Sequence, residues 1–202
     1  MRKDLRRWCG GMIPGGGHPT LALFIIALLS LAGAAGCGSS VRTYAQEARS
    51  SYTSARAVLV GVEEYPAQME ELLRSKDIST VEEDAGQLID DARELLPSAS
   101  SAFRTAAEKA DLLKGEGSDN FTPYAEILLE LTGLNEQVIS AYSEYIGLCG
   151  SVLGGLPYGQ DPEALMPTLT YMDEVIVRLQ ELGTQIDLLE EGAETLYLEL
   201  TK

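Results

Sequence analysis

Apolar residues return every three or four positions along four long stretches of this chain, and no stretch alternates with period two long enough to make a strand. In the first stretch, Val41 to Lys76, the series Ala48, Tyr52, Ala55, Leu59, Val62, Pro66, Met69 and Leu73 steps by four and three in alternation. That is the seam of a helix packed against a neighbour, and its early small residues allow close approach. Pro66 lies in the seam. It cannot donate a backbone hydrogen bond and it restricts Tyr65, so it predicts a kink or break there.

The second stretch opens on Ser79-Thr80-Val81-Glu82, a capping-box pattern. It continues through Val81, Ala85, Leu88, Ala92, Leu95, Ala99, Phe103, Ala106, Ala110 and Leu113. Pro97 interrupts it, with Ser98 placed to cap a restarted helix, and Gly115 and Gly117 close it. Thr122 followed by Pro123 marks the third start, and Tyr124, Ile127, Leu131, Leu134, Val138, Tyr142, Tyr145, Leu148 and Val152 form its seam. Asp161-Pro162 begins the fourth, which carries Leu165, Leu169, Met172, Ile176, Leu179, Leu182, Ile186, Leu189, Ala193 and Leu196. Short connections make successive helices antiparallel. The expected fold is therefore all-α, an up-down four-helix bundle over residues 41–202 with kinks at Pro66, Pro97 and Pro167. An elongated pair of helical hairpins is the rival arrangement. Loops 75–79 and 154–161 fall at one end of the bundle, and loop 115–122 with the C-terminus at the other.

Residues 1–40 follow a different pattern. Arg2, Lys3, Arg6 and Arg7 precede an apolar run from Leu21 to Ala35, diluted only by Ser30 and Gly33, and small residues follow. That order is the order of a secretory signal peptide. The run would span about 22 Å as a helix, short of the ~30 Å hydrocarbon core, which disfavours a permanent membrane span. Ala34-Ala35-Gly36-Cys37 resembles the lipobox of bacterial lipoproteins, although Ala34 stands where that family usually has leucine. The resemblance covers residues 1–37 only. It implies cleavage between Gly36 and Cys37, acylation of the Cys37 thiol, and loss of residues 1–36. Residues 37–40 then form the lipidated cysteine and a short polar tether. Two or more acyl chains at ~0.8 kcal/mol per buried CH₂ hold such a chain at the membrane. The plainer alternative is an ordinary signal peptide followed by a cysteine; the small polar Gly38-Ser39-Ser40 favours the lipoprotein. Cys9-Gly10-Gly11 after Arg6-Arg7 favours Sec over twin-arginine export. The expected location is the extracytoplasmic face of the cell membrane, or an outer membrane where the cell has one.

Charge narrows the partners. Residues 1–36 hold four of the 15 basic and one of the 31 acidic residues, so the remainder carries 11 against 30, a net of −19. Nucleic acid is disfavoured, because phosphate neutralisation needs a basic face. Lying directly on an anionic bilayer is disfavoured for the same reason. Carboxylates cluster at Glu63-Glu64, Glu70-Glu71, Glu82-Glu83-Asp84, at Asp90, Asp91 and Glu94, and at Glu190-Glu191, off the apolar seams, and read as solvated faces.

Candidate chemistry is sparse. The one histidine, His18, lies in the segment expected to be removed, so the remainder lacks the commonest general base and transition-metal ligand. Neither a Walker loop, a dinucleotide fingerprint nor a nucleophile elbow occurs. The expectations are no catalytic residues, no metal and no cofactor. Cys149 is left as the single thiol after Cys9 is removed and Cys37 acylated, and reads as a buried small apolar residue. Two binding hypotheses remain. One is a non-enzymatic interaction module that meets an envelope protein or polymer partner through its distal loop, with Leu156 and Tyr158 as contacts. The other is a solute-binding or sensory lipoprotein with a pocket among Tyr124, Tyr142, Tyr145 and Tyr171.

Overall fold

The computed structural model describes residues 40–75, 78–116, 119–155 and 162–202. Cys37–Lys202 forms one compact unit, to which all of these belong. The expectations for Gly36, Cys37, Leu156 and Tyr158 lie outside the described residues.

The described chain is all-α. Helix α1 is Ser40–Glu63, α2 Tyr65–Ser75, α3 Ile78–Glu116, α4 Thr122–Gly155 and α5 Pro162–Thr201, with a 3₁₀ turn at Asp119–Phe121 before α4. No strand occurs among the described residues. α1 and α2 together make the first arm of the bundle, and the break between them falls at Glu64, as Pro66 requires. Without an N–H, Pro66 cannot donate to Val62, and the helical ladder resumes where the Gln68 N–H meets the Glu64 carbonyl at 3.1 Å.

α1 packs on α3, α3 on α4 and α4 on α5, in the up-down order. Contacts between distant residues fix the ends. Lys109 pairs with Glu47, Lys114 with Glu126, and the rings of Tyr124 and Tyr197 lie 5.6 Å apart. The start of α1, the end of α3, the start of α4 and the end of α5 therefore share one pole.

Small residues decide how closely α1 and α3 meet. Ala45, Ala48 and Ala55 of α1 are fully buried, as are Ala85, Ala92, Ala99 and Ala110 of α3. Alanine on both sides lets two helix axes approach to the lower part of the ~8–10 Å range. Tyr52 and Phe103 fill the middle of this layer edge to face, with ring centres 6.0 Å apart.

The buried register of α3 differs from the expected seam. Ile89 and Leu96 are buried, and Leu88 and Leu95 are half-buried beside them. α3 touches both α1 and α4, so it needs two adjacent rows of apolar residues, whereas a heptad seam supplies one. α4 shows the same widening: Leu128 and Leu131 are buried, with Ile127 and Leu134 half-buried at the edge. It is the central helix, in contact with α3, α5 and, across the diagonal, α1.

Two further expectations are corrected. α3 begins at Ile78, so Ser79 lies inside its first turn and does not precede the helix as an N-cap. α3 also runs unbroken through Pro97, so Ser98 does not cap a restarted helix there, and α5 runs unbroken through Pro167. Pro97 is exposed between buried Leu96 and Ala99, and the packing of those neighbours offsets the ~3 kcal/mol that an interior proline costs. Among the described residues, no helix is long and apolar enough to cross a membrane.

Candidate functional site

Three helical stripes converge near the shared pole. α1 contributes Arg49, Tyr52 and Arg56, at steps of three and four along one face. α4 contributes Tyr124, Leu128, Leu131 and Asn135 in the same way, and α5 contributes Glu190, Ala193 and Glu194. Between them lies a cleft of about 360 Å³ whose floor is Tyr124, Leu128, Leu131 and Ala193. It exists because α5 rests on α4 and reaches α1 mainly through long polar side chains.

Those side chains form one connected network. Asn135 is fully buried. Its amide nitrogen donates to the Leu131 carbonyl at 2.8 Å and to the Tyr52 hydroxyl at 3.2 Å. Its amide oxygen accepts from Arg56 Nη1 at 3.2 Å. The Tyr52 hydroxyl in turn donates to Glu190 Oε1 at 2.7 Å. Arg56 bridges two carboxylates, Glu63 at 2.8 Å and Glu190 at 3.2 Å. At the outer margin Arg49 grips both oxygens of Glu194, at 2.8 and 2.7 Å, and its guanidinium sits 4.4 Å from the centre of the Tyr197 ring.

The electrostatics follow from this geometry. Burial pushes the Tyr52 phenol far above its ordinary range, and the hydrogen bond to Glu190 adds to that. Burial likewise raises Tyr124 and Tyr142. All three hydroxyls stay protonated at neutral pH, and that of Tyr52 acts as a neutral donor to Glu190. Burial opposes the charge on Arg56, but Glu63 and Glu190 outweigh it and leave the guanidinium more firmly protonated than usual. Among the described residues no buried side-chain nitrogen or oxygen lacks a partner, and no cluster of three or more His, Cys, Asp or Glu is arranged to hold a metal ion.

No family model, curated protein or solved structure matches this chain.

The four tyrosines singled out from sequence are dispersed. Tyr124 lines the cleft, with its ring against Tyr197. Tyr142 is buried farther along α4, within the fields of Glu63 and Arg56. Tyr145 is half-buried beside Cys149, whose buried thiol is pushed above its ordinary pKa. Tyr171 is exposed and donates to Glu144, which also holds Arg178. Tyr124 and Tyr145 stand about 30 Å apart along a single helix, so the four do not line one cavity. Of the clustered carboxylates, Glu64, Glu71, Glu83, Asp90, Asp91 and Glu191 are exposed, as their positions off the seams implied. Glu63 and Glu190 are exceptions, since each turns toward Arg56.

Arg56, Asn135 and Glu190 were not among the sequence candidates. Asn135 left a signal, as a lone amide between Leu131 and Val138 in the apolar row of α4. Arg56 and Glu190 left none, because their meeting depends on how α1 and α5 are placed. A second hollow, of about 690 Å³, runs along the α3–α4 surface past Pro97, Ser100 and Glu136. It is a broad open furrow.

Proposed function

We propose that this protein is a lipid-anchored, extracytoplasmic helical interaction module, held to the membrane through Cys37 and binding another component of the cell envelope. The anchor rests on the basic, apolar, small-residue order of residues 1–36 and on Ala34-Ala35-Gly36-Cys37. The interaction role is carried by one observation, the outward face of α5. Six of the eight large apolar side chains exposed among the described residues lie on this one helix. The buried residues of α5, Val175, Leu182, Ile186 and Ala193, share one face; Met166, Val177, Leu188 and Leu198 lie roughly opposite, at ~100° per residue. These exposed apolar side chains share the outward face with Thr170, Asp173, Thr184 and Glu191, a mixed surface that supports contact with a partner.

The test has two parts. Labelled palmitate should enter the wild-type chain and not Cys37→Ser, which should also leave the membrane fraction; equal labelling and retention of both would remove the anchor. Cross-linking in intact cells should join the chain to an envelope component and fail to do so in Val177→Asp/Leu188→Asp. The cleft supports a second reading, a small-solute site, since its volume and its apolar floor suit a compact ligand. It ranks below the first because its polar groups already satisfy one another. A small-molecule screen that raises the melting temperature of wild type but not of Tyr52→Phe/Arg56→Ala would reverse that order.

A further inference from the structure

The ion pair in the wall of the α1–α5 cleft keeps one atom of each partner uncommitted. Arg56 spends Nη1 on Glu63 and Asn135, and Nε on Glu190. Glu190 spends Oε1 on both Arg56 and Tyr52. No described group engages Arg56 Nη2 or Glu190 Oε2. Neither atom is buried, since every buried side-chain nitrogen and oxygen among the described residues has a partner. Both residues line the cleft. A charged donor with a free N–H thus stands beside a charged acceptor with a free oxygen, and their own 3.2 Å contact holds the two in register. The cleft is therefore stable when empty, yet can exchange solvent for a ligand at these two atoms.

The walls set the charge that such a ligand carries. Arg49 and Arg56 on α1 face Glu190 and Glu194 on α5. A lone anion on Arg56 would meet Glu63 and Glu190, and a lone cation on Glu190 would meet Arg56. Either leaves a like charge uncompensated beside it. A ligand with both charges on neighbouring groups, laid antiparallel to the Arg56–Glu190 pair, meets an opposite charge at each end. The floor of Tyr124, Leu128 and Leu131 calls for an apolar body. At about 360 Å³ the cleft lies near the small end of the ~300–1,000 Å³ typical of ligand pockets, so that body is short. These floor residues are almost fully covered in the empty chain, and the ligand enters only where the mouth parts. The Arg49–Glu194 pair crosses that mouth. At 43% and 46% exposure it is screened by solvent, and it is the joint most easily opened.

Resting on the second reading above, the cleft as a small-solute site, we propose that the α1–α5 cleft binds a small zwitterion with an apolar body, the chemistry of a free apolar α-amino acid. Its carboxylate accepts from Arg56 Nη2, its ammonium donates to Glu190 Oε2, and its side chain lies over Tyr124 and Leu128. The ligand is an addition to the interaction module and leaves its envelope partner in place.

Isothermal titration calorimetry of the full chain in detergent micelles tests this with five compounds. Leucine and phenylalanine carry both charges, N-acetyl-leucine only the anion, leucinamide only the cation, and N-acetyl-leucinamide neither. Leucine or phenylalanine should bind at least about tenfold more tightly than each of the other three, since each of those forfeits a charge-assisted hydrogen bond. Glu190→Gln keeps an acceptor for Tyr52 and Arg56 and removes the negative charge. It should weaken binding of the zwitterion by at least about tenfold while leaving the helical circular dichroism intact. Equal binding of a zwitterion and a single-charge analogue overturns the proposal, as does a zwitterion affinity indifferent to Glu190→Gln. A single-charge or neutral analogue that binds better than both zwitterions, and is lost in Tyr52→Phe/Arg56→Ala, keeps the cleft as a solute site and removes the zwitterion from it. Binding by none of the five also removes the zwitterion, and the cleft as a solute site then stands or falls by the melting-temperature screen above.

Discussion

At Asn135 one buried amide satisfies three partners on two helices, and nothing apolar of that shape replaces it. Asn135→Leu leaves the Arg56 guanidinium short of an acceptor and removes a donor from the Tyr52 hydroxyl. The expected cost is about 1–3 kcal/mol, measured as a lower midpoint in urea unfolding. The buried phenols make a second residue-scale prediction. Tyr52, Tyr124 and Tyr142 are raised above the ordinary phenol value of 10.0, chiefly by burial. An acid whose folded pKa is raised binds its proton more tightly folded than unfolded. The stability it contributes is therefore complete below about pH 10 and is lost as pH climbs above that value. Absorbance titration of the native chain should show these three phenols lagging the exposed ones, and unfolding should follow when they ionise. Of these features, the amide in the apolar row of α4 was legible in the sequence. Its service to Arg56 was not, because that contact closes across helices about 80 positions apart along the chain.

At the scale of elements, proline separates two outcomes. Pro66 ends α1 because the chain can restart at Tyr65 with little loss, on a surface where α2 still covers α3 through Met69. Pro97 does not end α3, since stopping there would uncover Leu96, Ala99 and Phe103 together. The strain it introduces is thus held by the core, and Pro97→Ala should raise stability by about 1–3 kcal/mol, read as a higher melting temperature with unchanged helix content. Local propensity named both prolines as break points with equal force; only the tertiary structure distinguished them.

For the whole molecule, the way α5 is held is the main feature. It packs on α4, and polar side chains join it to α1: Arg49 to Glu194, and Arg56 and Tyr52 to Glu190. These joints are unequal. Arg49 and Glu194 are 43% and 46% exposed, so solvent screens the pair and Arg49→Ala should cost under about 1 kcal/mol. Arg56 is 22% exposed and serves Glu63, Glu190 and Asn135 at once. Arg56→Ala should cost more, and amide hydrogen exchange should quicken in α5 well before it does in α4.

From its sequence alone this chain is determined to be helical, in four arms, acidic, and without a histidine beyond residue 18. Those properties follow from local periodicity, from capping and breaking residues, and from composition, none of which needs a neighbour to be known. Which rows of each helix are buried, where a proline is tolerated, and which carboxylates turn inward were decided by the tertiary structure. Each depends on how many helices flank a given helix and on which side. α4 is covered on several sides and α5 on one, so similar apolar stripes became a core in the first and, in the second, a core on one face and an open surface on the other.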